Sequence, residues 1–138
     1  MTILDSSVVS ALMNDPPEAN VVAWLDGQSR GSVWTTAVTI LEIESGLQMM
    51  PAGKRQRALS ELFQRTLDRM EHRILPFDEQ AARMAATLMG VRKRTGTLVE
   101  LRDTMIAGIV LAHHATLATR NVSHFSDIAA SVVNPWAA

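Results

Sequence analysis

One aspartate, at the end of the first apolar run, constrains this chain more than any other residue. The run starts at Ile3, ends at Asp5, and is followed by Ser6 and Ser7. This order is typical of a short strand over residues 2–5, a turn and the start of a helix. In open α/β sheets, ligands bind outside the carboxyl ends of parallel strands. The pattern therefore predicts that Asp5 lies at a ligand-binding edge, although Asp and Ser are also ordinary helix caps.

The rest of the chain alternates short apolar runs with longer segments of helical periodicity, which is typical of an α/β fold. We predict one domain over residues 1–138, with a mainly parallel central sheet flanked by helices. Pro76 indicates that the third strand lies at a sheet edge, because proline cannot donate to a strand ladder. The predicted strands are 2–5, 33–36, 74–77, 116–119 and 128–133, and the predicted helices are 7–13, 18–27, 37–50, 54–71, 78–94 and 101–114.

The composition narrows the class of protein further. Hydrophobic residues make up 47% and charged residues 20%, which is typical of a folded domain rather than a disordered chain. The formal net charge is -1, so any attraction to nucleic acid must come from a local basic patch. The absence of cysteine excludes disulfides, thiolate zinc sites and cysteine nucleophiles. With no signal-peptide pattern and no membrane-length apolar run, we expect a cytoplasmic protein.

Three acidic residues are candidates for one site. Asp5, Glu42 and Asp103 each begin or lie on a helix that follows a strand or loop, and such points can converge at one edge of the sheet. Two carboxylates ~5 Å apart repel by about 3 kcal/mol at an effective dielectric near 20, so such a group raises its pKa values or binds a cation. Oxygen ligands suit Mg²⁺, or alternatively Mn²⁺. Helix capping by Asp5 and Asp103, and an exposed helix charge at Glu42, are the simpler alternatives.

The chain resembles the PIN-domain ribonucleases, especially VapC-like toxins and their FitB-like branch, and four motifs carry the resemblance. The family begins with L-D-T-N-V and carries a glutamate four residues before a glycine, an A-D-x-x-I-A-A segment and a T-R-N/D step. The corresponding residues are Leu4-Asp5-Ser6-Ser7-Val8, Glu42 with Gly46, Arg102-Asp103-Thr104-Met105-Ile106-Ala107-Gly108, and Thr119-Arg120-Asn121. Segments 22–26, 73–78 and 134–136 resemble the FitB-like branch in particular.

The resemblance implies a Mg²⁺-dependent endoribonuclease that acts as the toxin of a VapBC-type toxin–antitoxin pair. It implies partnership with a cognate antitoxin, an RNA substrate and a second copy of the chain, with operator DNA bound only through the antitoxin. The metal ligands would be the three acids, and Asn121 would complete the catalytic set by orienting a ligand or water. Supporting roles would fall to Ser6, Thr119 and Arg120.

The chain departs from the family at several positions. The FitB-like branch has Asp where Asn121 stands, and many other relatives carry an acid at the position of His124. Asp127 is a possible substitute for the missing acid. A second hypothesis is therefore a catalytically weak or inactive PIN domain that binds an antitoxin within a DNA-bound regulatory complex.

Two further expectations concern the surface. The basic groups at residues 92–94 and 54–57 are interpreted as solvated helix faces, and His124 as a structural residue. Trp24, Trp34 and Trp136 are more than a core of this size must hide, so we expect exposed aromatic area at a homodimer interface.

Overall fold

A central parallel sheet organises the molecule in a computed structural model that describes residues 1–97 and 99–138. Within those residues five strands pair in parallel in the order β3-β2-β1-β4-β5. The strands are β1 Thr2–Leu4, β2 Val33–Thr36, β3 Ile74–Leu75, β4 Thr116–Ala118 and β5 Val132–Val133. The predicted α/β class with a mainly parallel sheet is confirmed.

Helices cover the sheet on both sides. They are α1 Ser6–Met13, α2 Ala19–Asp26, α3 Ala37–Met49, α4 Lys54–Arg69, α5 Glu79–Thr95 and α6 Leu101–Ala112. A 3₁₀ turn, Val122–Phe125, lies after β4. Among the described residues, no helix is both long and apolar enough to cross a membrane.

Strand β1 lies at the centre of the sheet and separates two apolar cores. Because successive side chains of a strand point to opposite faces, Ile3 packs into one core and Leu4 into the other. The first core is dominated by α5 and α6, and the second by α1 to α4. This arrangement holds the carboxyl end of β1 between its two neighbours, β2 and β4.

Most predicted elements are confirmed, with differences at their ends. Strand β3 lies at the sheet edge, as Pro76 indicated, but it ends at Leu75 rather than at residue 77. Helix α4 ends at Arg69, where Glu71 and His72 take up positive φ angles that break the helix. The 3₁₀ turn after Asn121 was not predicted, because four residues without apolar periodicity carry little signal.

Candidate active site

Asp5 lies directly after the central strand and begins α1. Its Oδ1 accepts hydrogen bonds from the Val8 backbone N–H at 3.2 Å and the Ser7 hydroxyl at 2.5 Å. Its Oδ2 accepts from the Thr119 hydroxyl at 2.5 Å. The residue is 3% exposed, and carboxylates are seldom buried so deeply unless they are paired. Asp5 is therefore both a helix cap and a buried acid at the carboxyl edge of the sheet.

The segment after β4 is tied to the same carboxylate. Thr119 follows β4, the neighbour of β1, and its Oγ1 also accepts from the Asn121 backbone N–H at 3.0 Å. The Ser7 hydroxyl oxygen accepts from the Arg120 backbone N–H at 3.1 Å. The structure thus brings Thr119, Arg120 and Asn121 to the position of Asp5, and Asn121 itself is exposed.

Glu42 reaches the site from the second turn of α3, which begins after β2 with Thr36 as its cap. Its Oε1 accepts from the Ser6 hydroxyl at 3.2 Å. Ser6 begins α1 immediately after Asp5, so this bond joins the two acid-bearing segments. Ser6 therefore contacts a candidate ligand as well as starting a helix.

Asp103 lies in the first turn of α6, and its Oδ2 is 2.9 Å from Nδ1 of His124. His124 belongs to the 3₁₀ turn that follows Asn121. His124, interpreted from the sequence as a structural residue, contacts one of the three candidate acids through its ring.

The pKa values of Asp5 and Glu42 are both raised, and the negative charge of Asp103 contributes to each rise. Burial is the largest cause that raises the pKa of Asp5, and the negative charge of Asp103 adds a smaller effect, while hydrogen bonds to the carboxylate oppose both. Burial likewise raises the pKa of Glu42, opposed by the Ser6 hydroxyl and the Arg102 charge, and Asp103 again adds to the rise. Repulsion between the acids was the expected cause of raised pKa values, and burial is a larger cause.

The donor chemistry of these residues fits a hard divalent cation. Carboxylate oxygens are what Mg²⁺ and Mn²⁺ prefer, and a cation would relieve the cost of ionising buried Asp5. Within residues 1–97 and 99–138, however, no three His, Asp or Glu side chains are arranged around a common point. Each acid is instead turned to a polar neighbour, so a bound metal would replace some of these hydrogen bonds.

Asp127 and Arg92 pair with each other. The alternative of Asp127 as a substitute acid gains no support, because both of its oxygens accept hydrogen bonds from the Arg92 guanidinium at 2.9 Å. The interpretation of Arg92 as part of a solvated face was wrong, since Arg92 is 3% exposed. The periodicity of α5 explains this position: Ala81, Ala85 and Leu88 precede Arg92 on the same buried stripe.

The chain belongs to the PIN-domain family, whose model matches residues 2–130. Among curated relatives, it is 36% identical over 137 residues to the VapC ribonuclease Y4jK of Sinorhizobium fredii, covering 99% of this chain and 98% of that protein. It is 35% identical to the toxin FitB of Neisseria gonorrhoeae, covering 99% of both chains. A structure of FitAB bound to an IR36 DNA fragment matches with a TM-score of 0.88 and 34% identity, over 99% of this chain and 96% of that one.

Proposed function

We propose that this protein is a divalent-metal-dependent endoribonuclease of the cytoplasm that acts as the toxin of a VapBC-type toxin–antitoxin pair. The observation that carries the proposal is the buried Asp5 at the carboxyl end of the central strand. The negative charge of Asp103 contributes to the raised pKa of both Asp5 and Glu42. The family and the names of its relatives support the same reaction.

In this proposal Asp5, Glu42 and Asp103 hold Mg²⁺, or Mn²⁺ in its place. The ion would supply Lewis-acid activation of the phosphodiester and of the attacking water. Thr119 and Ser6 hold the carboxylates of Asp5 and Glu42 through their hydroxyl groups. The exposed Asn121 would orient a ligand or water.

Arg120 supplies positive charge at the edge of the site. Its guanidinium lies 5.0 Å from the centre of the Trp136 ring, an arrangement that stabilises a cation over an aromatic face. Since the net charge of the chain is -1, local cations of this kind must provide the attraction to an RNA phosphate. We therefore assign Arg120 a supporting role in substrate binding.

A cleft of about 380 Å³ extends from the site between α1, α3 and α4, and it supports the antitoxin as partner. Ser6 and Glu42 lie in the cleft wall, and Met13, Ile43 and Leu59 line it with apolar surface. An antitoxin segment with apolar residues and one basic side chain would complement both the apolar lining and the Glu42 carboxylate of this cleft. Its positive charge would compete with Mg²⁺ for the carboxylates, and operator DNA would be bound through the antitoxin.

The proposed homodimer needs a different support from the one first expected. Trp24, Trp34 and Trp136 are partly buried against the two cores, so only part of each ring is available to a partner. Exposed apolar side chains lie elsewhere, and Leu41, beside Glu42, and Leu101, near Asp103, are each 57% exposed. Others are Met49, Met89 and Val91. A second copy covering Leu41 and Leu101 would remove this apolar area from water.

The test is RNA cleavage by the purified protein with and without divalent metal. Glu42→Gln should retain the fold and lose cleavage, because the amide keeps the volume and removes a charged ligand. Glu44→Gln is the matched control on the same helix, and it should cleave like wild type. Cleavage that survives EDTA, or that Glu42→Gln leaves intact, would contradict the proposal.

A second candidate is a catalytically weak PIN domain that serves as antitoxin partner in a DNA-bound regulatory complex. What favours this candidate is that Asn121 and His124 stand at positions where the resemblance to PIN-domain ribonucleases leads us to expect acids. In that case the wild-type chain would bind Mn²⁺ no better than Asp103→Asn, and expression without its antitoxin would not slow growth. Metal binding lost in Asp103→Asn, together with toxicity of the wild-type chain, would exclude this candidate.

A further inference from the structure

A buried guanidinium lies behind the candidate site. Arg92 continues the buried stripe of α5, and Nε and one terminal nitrogen donate to the two oxygens of Asp127, each at 2.9 Å. The Asp127 side chain is 31% exposed, so the pair reaches from the core to the surface. This two-point geometry fixes the plane of the guanidinium.

The remaining donors of Arg92 reach the two segments that hold Asp103. The terminal nitrogen that does not contact Asp127 donates to the Thr104 hydroxyl at 2.8 Å, and Thr104 is the residue after Asp103 in α6. The terminal nitrogen that contacts Asp127 also donates to the backbone carbonyl of His124 at 3.0 Å. The His124 ring in turn lies 2.9 Å from the Asp103 carboxylate. Arg92 thus connects α5 to Asp103 along two separate paths.

Stability alone does not account for this arrangement. Taking a guanidinium out of water carries a large desolvation cost, and apolar residues of similar volume often replace a buried ion pair without loss of stability. What an apolar side chain cannot reproduce is a set of four directed hydrogen bonds that fixes α6 and the 3₁₀ turn relative to each other. The effect of the network is therefore to fix the relative positions of these two segments.

We propose that Arg92 is a positioning residue for the active site, which sets the orientation of the Asp103 carboxylate through Thr104 and His124. The functional meaning of that orientation rests on the proposed role of Asp103 as a metal ligand. Residues that hold a ligating group in place commonly change metal affinity by about 10- to 100-fold when they are replaced.

Arg92→Lys tests the proposal, because lysine keeps the charge and loses the planar two-point fork. A double variant, Arg92→Met with Asp127→Leu, replaces the pair by apolar side chains and avoids a lone buried charge. Arg83→Met is the matched control, since Arg83 forms an exposed pair with Glu79 on the same helix. Each variant is first checked for cooperative thermal unfolding.

Two readouts follow at one fixed pH. The first is the ¹⁵N signal of the His124 ring in the metal-free protein, assigned by its loss in His124→Gln, which reports the contact with Asp103. The second is Mn²⁺ affinity from water-proton relaxation. We expect the ring signal of folded Arg92→Lys, or of the double variant, to move toward that of a free imidazole, and the Kd for Mn²⁺ to rise about 10-fold. Arg83→Met should match wild type in both.

A folded Arg92 variant with an unchanged ring signal would overturn the positioning role. Loss of the fold in both Arg92 variants would assign the network to stability and overturn it as well. Failure of the wild-type protein to bind Mn²⁺ would instead contradict the proposed function. The metal-free ring signal would still decide whether Arg92 sets the contact between His124 and Asp103.

Discussion

Thr119→Val is the substitution that most sharply tests how the site holds its buried acid. Valine keeps the shape of threonine and removes only the hydroxyl, which donates to Asp5 and accepts from the Asn121 N–H. A hydrogen bond to a charged group contributes about 1.5–3 kcal/mol, and one between neutral groups about 1 kcal/mol. We therefore expect the free energy of unfolding to fall by about 3 kcal/mol at neutral pH. For a domain of this size that corresponds to a Tm roughly 10 °C lower.

The loss should also depend on pH. The Thr119 hydroxyl stabilises the ionised carboxylate and so lowers the pKa of Asp5, which burial holds above its ordinary value of 3.8. Without the hydroxyl, the folded-state pKa rises further and the unfolded-state pKa is unchanged. The stability lost in Thr119→Val is therefore largest above the raised pKa, and it shrinks as the pH falls toward the ordinary value.

Thermal unfolding from pH 7.5 to pH 4 measures both effects. Thr66→Val is the matched control, because Thr66 is also buried and its hydroxyl donates to the neutral Leu62 carbonyl at 2.9 Å. That variant should lose about 1 kcal/mol at every pH. If the loss in Thr119→Val is as small and as independent of pH as the loss in Thr66→Val, the argument that Thr119 stabilises an ionised Asp5 is wrong.

Three further outcomes follow from the structure. Gly108→Ala should destabilise the fold by about 3 kcal/mol or more, because the new Cβ would lie 2.5 Å from the Ala81 carbonyl oxygen. Gly46→Ala, where the new Cβ would meet open space, should instead raise the free energy of unfolding by about 1 kcal/mol. Urea unfolding measures both changes. Asp5→Asn should gain stability relative to wild type as the pH rises above 4, because the raised pKa makes ionised Asp5 costly, and parallel pH profiles in thermal unfolding would contradict this. Asn121→Asp should tighten Mn²⁺ binding measured by calorimetry, since it adds a negative charge at the site, and weaker binding would place Asn121 away from the ion.

The sequence predicts the location of the acids better than their environment. Asp5 was predictable because a carboxylate directly after a short apolar run can hardly lie anywhere but at a strand end. Arg92 was not, because a run of three basic residues is typical of a solvated face. Helical geometry turns neighbouring residues about 100° apart, so one member of such a run can face inward. The spacing from Leu88 was present in the sequence, but a charged residue on an apolar stripe requires a buried partner, Asp127, from a distant segment.

The contact between Asp103 and His124 was also beyond sequence reasoning. It depends on how a 3₁₀ turn of four residues packs against the start of α6, and neither local propensity nor periodicity determines such a contact. The hydrogen bond from the Thr119 hydroxyl to Asp5 belongs to the same group. It follows from the pairing of β1 with β4, which brings together residues 114 positions apart.

The most direct test of the account is the position of a bound metal. Crystals grown with Mn²⁺ and measured at its absorption edge would locate the ion by anomalous scattering, independently of any assay of activity. The account predicts a peak about 2.0–2.2 Å from carboxylate oxygens of Asp5, Glu42 and Asp103, and no such peak in crystals of Asp103→Asn. A peak at other residues, or none at saturating Mn²⁺, would contradict the claim that these three acids form a metal-dependent active site.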